Sequence, residues 1–258
     1  MPYIFYTHGL GGSLQAQPEI EEVFEPLGYT VLRVRVPFHN SIVELATTLA
    51  TMTFGDFCAL ISDTADSIIT RSRAFAPEDY VVIGDSLGGF VSVVAAQRDS
   101  RISHCILLAC NGDICNTIMN LNHLIPGVGY LAGMFNLAGN GGLRVQAHKT
   151  IAGQSDFQRD FELVNTFQPE RLERMRRLLI LGDKGDPVAP ADACRHFAKR
   201  IKNSKVILAY NEGRHHPIGK VALERYALPF LQNKPLSVGD HMRALFSPLL
   251  KLFSTSRE

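Results

Sequence analysis

Ser86 lies in the run Gly84-Asp85-Ser86-Leu87-Gly88-Gly89, after an apolar stretch from Tyr80 to Ile83 and before a helical pattern. Glycines two before and two after a serine let the chain turn sharply between strand and helix without a side chain striking either element. The hydroxyl is then exposed at the end of the sheet, as a nucleophile must be. The same residues would also suit a serine that merely caps the following helix beside a tight turn. A hydroxyl is a weak nucleophile at neutral pH, so the catalytic reading requires a histidine base, held in one tautomer by a carboxylate.

Both partners are available downstream. The apolar run Leu178 to Leu181 leads into Gly182-Asp183-Lys184-Gly185-Asp186-Pro187-Val188-Ala189-Pro190, which puts two acids on one loop. The run Val206 to Tyr210 leads into Gly213-Arg214-His215-His216-Pro217, which puts two histidines on the next. Serine, acid and histidine therefore follow one another at three successive strand ends.

The elements that must position these residues show in the hydropathy pattern. Short apolar runs bounded by turn residues occur at 3–7, 30–36, 80–84, 104–109, 177–182 and 205–210, as expected of strands covered on both faces. Helical patterns separate them. Ile20, Val23, Phe24 and Leu27 are spaced to share one face, as are Phe57, Leu60, Ile61, Ala65 and Ile68. A third helix is expected after Ser86 through Val91, Val94 and Ala95, and a fourth carries Cys194, Phe197 and Ile201. Alternating strand and helix predicts an α/β fold, a mainly parallel sheet of six strands flanked by helices, with ligands at the carboxyl ends of the strands.

With these motifs in place, the chain resembles the α/β-hydrolase superfamily over most of residues 3–233. Asp186-Pro187-Val188-Ala189-Pro190 resembles the family's acid loop and selects Asp186 over Asp183, while the segment before Pro217 resembles its histidine loop and selects His215 over His216. Asp113 is the substitute acid, since some relatives take theirs from the preceding strand end. His8-Gly9-Leu10-Gly11-Gly12 resembles the oxyanion loop, and the resemblance implies that the N–H groups of Leu10 and Leu87 are the oxyanion donors. His8 then positions the loop and is not the base. A phosphate cradle is disfavoured there, because neither a Walker lysine nor the dinucleotide spacing of glycines is present. The two antiparallel strands that often begin the fold are absent from the pattern.

The core is expected over 1–110 and 177–234, with a lid insertion over 111–176 and a tail over 235–258. In the lid, Leu131, Met134 and Phe135 belong to an apolar set that could line an acyl pocket or only pack on the core. The tail has an apolar helical face interrupted by Pro248; it could dock on its own domain, a partner subunit or, less favoured, a membrane surface.

The 258 residues suffice for one large domain, and a formal net charge of +1 offers no field for gathering polyanions, so nucleic acid is not an expected partner. Five cysteines without paired metal-ligand spacing suggest reduced thiols in a cytoplasmic protein, and the start Met1-Pro2-Tyr3-Ile4 has no leader character. The expectation is a serine hydrolase without metal or organic cofactor, a carboxylesterase acting on small to medium apolar acyl esters. The alternatives are an acyltransferase or thioesterase on the same triad, or a non-catalytic ligand-binding protein of this fold.

Overall fold

The computed structural model describes residues 2–9, 12, 15–37, 54–75, 78–114, 117, 164, 166, 169–213, 215 and 217–234. Six strands, β1 (Tyr3–Thr7), β2 (Thr30–Val34), β3 (Tyr80–Asp85), β4 (Ile102–Leu108), β5 (Leu178–Asp183) and β6 (Ser204–Tyr210), form one sheet in the order β2-β1-β3-β4-β5-β6. Every neighbouring pair is parallel. This is the six-stranded sheet that the apolar runs predict.

The helices are α1 (Glu19–Phe24), α2 (Phe54–Phe75), α3 (Leu87–Arg98), α4 (Pro169–Leu172) and α5 (Ala191–Ala198). A closing helical stretch runs through Lys220–Ala222, a π turn at Leu223–Ala227 and Leu228–Leu231. Strand side chains alternate between two apolar clusters, one on each face of the sheet. Phe5, Val82, Leu107 and Ile180 join the first with Phe57, Ile61, Val91, Val94 and Phe197. Ile4, Ile83, Ile106 and Leu181 join the second with Ile20, Phe24, Leu223 and Phe230. Covering both faces explains why the strands read as continuous apolar runs, and each large side chain so buried contributes about 1.5–3 kcal/mol.

The chain leaves β1 for the edge strand β2 and returns to β3 on the other side of β1, so the order reverses between β1 and β3. Ligand crevices open at such a reversal. Thr7 pairs with Gly84 at the carboxyl ends of these two strands, which sets the His8-Gly9 turn beside Ser86.

Two local differences from the sequence reading concern Leu27 and Ile201. Leu27 does not share the buried face of Ile20, Val23 and Phe24; it is 48 % exposed. Pro26 lacks the N–H that would continue the helix, so α1 gives way to a tight turn over Glu25–Leu27, closed by Gly28 at φ 85°. Ile201 lies beyond the end of α5, yet is buried. Both ends of the expected insertion are packed into the domain: Ile114, Val164, Leu172 and Met175 are buried in the first cluster. Thr166 Oγ1 donates to the carbonyl of Gly112 (2.9 Å), and Gln97 Nε2 donates to the carbonyl of Thr166 (2.8 Å). Residues 118–163 of the expected lid, and the expected tail over 235–258, lie outside the described residues.

Among the described residues no helix is long and apolar enough to cross a membrane. Cys58, Cys105, Cys110 and Cys194 are buried thiols.

Candidate active site

Ser86 is the corner between β3 and α3, with φ 48° and ψ −111°, a conformation that L residues rarely adopt. Its surroundings hold it there. Ser86 N–H donates to the carbonyl of Leu108 (2.8 Å), and Gly89 N–H donates to the carbonyl of Ser86 (2.9 Å). A Cβ at Gly84 would lie 2.0 Å from the Gly88 oxygen, and one at Gly88 would lie 2.1 Å from the Thr7 oxygen. Side chains at these two positions would force β1, β3 and α3 apart.

His215 reaches this corner from the loop after β6. Its Nε2 lies 2.9 Å from Ser86 Oγ and its Nδ1 lies 2.8 Å from Asp186 Oδ2. Asp186 is buried, and its Oδ1 accepts the N–H groups of Val188 (2.7 Å) and Ala189 (3.0 Å), which fixes the carboxylate at the mouth of β5. A carboxylate can only accept here, so Nδ1 carries the ring hydrogen and Nε2 presents its lone pair to the serine hydroxyl. The carboxylate hydrogen-bonded to His215 is that of Asp186.

Burial lowers the affinity of His215 for a proton, but the Asp186 hydrogen bond and charge, with a smaller contribution from Asp85, outweigh it and leave the imidazole raised. Asp85, the last residue of β3, is pushed up to about 6 by burial, partly offset by His215. Its Oδ2 lies 3.0 Å from where a Gly9 Cβ would stand, so the carboxyl abuts the backbone of the His8-Gly9 turn. The sequence reading gave Asp85 no role; its place between a strand end and the corner serine was the available signal.

His8 accepts the N–H of Val36 at Nε2 (3.3 Å), and its Nδ1 lies 2.9 Å from the carbonyl oxygen of Gly9. Gly12 N–H donates to that same oxygen (3.1 Å). Leu87 is the first residue of α3, so its N–H has no acceptor within the helix. Leu10, His216, Leu131, Met134 and Phe135 lie outside the described residues. Among the described residues no group of three or more His, Cys, Asp or Glu side chains is arranged to hold a metal ion.

No protein-family model matches the sequence, and no curated protein sequence matches it. Solved structures do match in shape. Est1E from Butyrivibrio proteoclasticus, a structure with ferulic acid bound, is 16% identical over 90% of this chain and 90% of its own, at a TM-score of 0.58. A lipase in its open form is 14% identical over 90% of each chain, at a TM-score of 0.60. Alpha/beta hydrolase domain-containing protein 10 from mouse is 17% identical over 90% of this chain and 86% of its own, at a TM-score of 0.53. The chain has the α/β-hydrolase fold.

Proposed function

We propose that the protein is a serine hydrolase that cleaves esters through an acyl-enzyme on Ser86. One observation carries the reading: Ser86 Oγ, both nitrogens of His215 and Asp186 Oδ2 form a continuous hydrogen-bonded chain. In the first step Nε2 takes the hydroxyl proton as Oγ attacks the ester carbonyl, and the imidazolium is stabilised by the buried Asp186 carboxylate. The oxygen of the tetrahedral intermediate is held by the N–H groups of Leu87 and Leu10. His215 then gives the proton to the departing alcohol, leaving an ester on Ser86. Water, deprotonated by His215, releases the acid and restores the serine. No metal or organic cofactor enters this sequence of steps.

The substrate class is a carboxylic ester with a small to medium apolar acyl group, with Leu131, Met134 and Phe135 as the pocket residues. The reading includes a cytoplasmic setting, supported by four buried cysteine thiols among the described residues. The test is a series of p-nitrophenyl esters of increasing acyl length, followed in the pre-steady state. A burst of nitrophenol about equal to the enzyme concentration, falling off with long chains and absent from Ser86→Ala, is expected. Rates indifferent to chain length would remove the acyl-pocket assignment. Predominant ester or amide product in the presence of added alcohol or amine would make the protein an acyltransferase.

A further inference from the structure

Asp183 is not one of the three residues in the hydrogen-bonded chain, yet it is a buried acid at the mouth of the same strand as Asp186. Its Oδ1 accepts the N–H of Gly185 (2.7 Å) on its own loop and that of Gly213 (3.1 Å) on the histidine loop. Its Oδ2 accepts the N–H of Glu212 (2.7 Å), also on the histidine loop. The pairing of β5 with β6 changes register here: Gly182 pairs with Leu208 but Asp183 with Tyr210, so Ala209 is passed over. Such a bulge re-aims a strand end. Lys184 N–H donates to the Tyr210 carbonyl (2.9 Å), and a Cβ at Gly185 would fall 2.7 Å from Gly213 Cα. The two loops therefore touch backbone to backbone, and the Asp183 carboxylate joins them through the histidine-loop backbone, alongside the Asp186–His215 bond.

We propose that Asp183 is a positioning residue, whose carboxylate clasps the histidine loop to the acid loop and so holds His215 within reach of both Asp186 and Ser86. The inference rests on the serine-hydrolase reading for its effect on rate. Its physical basis is that a carboxylate receiving three N–H donors forms strong, directional bonds, whereas its loss would release the two histidine-loop donors that lie two and three residues before His215. An amide at this position keeps only one acceptor oxygen and turns its own N–H groups toward the backbone donors.

The test compares the parent with Asp183→Asn and with Gly185→Ala, which wedges the loops apart while leaving the carboxylate in place. Two quantities are read on folded protein: the rate of phosphonylation of Ser86 by a fluorophosphonate, and the downfield proton resonance of His215 Nδ1. Both variants are expected to label about 10–100-fold more slowly, the cost of a small misplacement, with the resonance shifted or lost and KM for an ester little changed. Parent-like labelling and an unshifted resonance in folded Asp183→Asn would overturn the proposal. If that variant does not fold, the same outcomes in Gly185→Ala decide. A parent that is never phosphonylated would sink the hydrolase reading alone, since the resonance still reports whether the clasp orients His215.

Discussion

His215 is subject to opposing influences, burial against its charge and Asp186 and Asp85 in favour of it, and the net effect raises its pKa. The neutral form is the base, so kcat/KM should rise as pH climbs through this ionisation. Removing the Asp85 charge lowers that midpoint, so Asp85→Asn should move the acidic limb of the pH profile to lower pH. The same substitution has a signature in stability. Folded Asp85 holds its proton up to about 6, above its unfolded value of 3.8. The folded state is therefore penalised as pH rises through that interval and the buried carboxyl ionises. Asp85→Asn should raise Tm by about 3 °C near pH 8, with the gain vanishing toward pH 4; a gain independent of pH would contradict the assignment. Asp186→Asn, which disturbs the tautomer of His215 while keeping its shape, should cost about 10⁴-fold in kcat.

At the scale of elements, the corner between β3 and α3 depends on backbone contact with β1. Gly88→Ala places a methyl 2.1 Å from the Thr7 carbonyl oxygen, which belongs to a strand and cannot move aside cheaply. A loss of about 3 kcal/mol or more in urea unfolding is expected, and a variant as stable as the parent would show that the corner is looser than described. The strands were legible in the sequence because a parallel sheet covered on both faces leaves uninterrupted apolar runs. The glycine spacing around Ser86 was legible because close approach leaves no alternative residue. Leu27 was misread because apolar spacing alone ignores Pro26, which ends the helix before Leu27 can reach the buried face. Asp183 has no role in the sequence reading, because the acid-loop resemblance selects Asp186 and the backbone N–H groups that Asp183 accepts from have no sequence signature.

For the whole molecule, the site is assembled from the carboxyl ends of β3, β5 and β6, with the turn after β1 alongside, so it exists only when the entire sheet is formed. Exposure of the core should then coincide with loss of the site. Four of the five cysteines are buried thiols, and burial pushes Cys194 up to about 12 and Cys110 well above its usual range. In native protein these four should resist a thiol reagent and become reactive in step with the loss of Ser86 labelling on denaturation. Reaction of the four in folded protein would show that the domain opens locally.

The central claim is that Ser86 is activated by His215. It is tested most directly by treating the parent protein and Ser86→Ala with a fluorophosphonate and measuring intact mass. A single adduct on the parent and none on the variant is expected; no adduct on folded parent, or an equal adduct on Ser86→Ala, would mean that Ser86 is not the activated group.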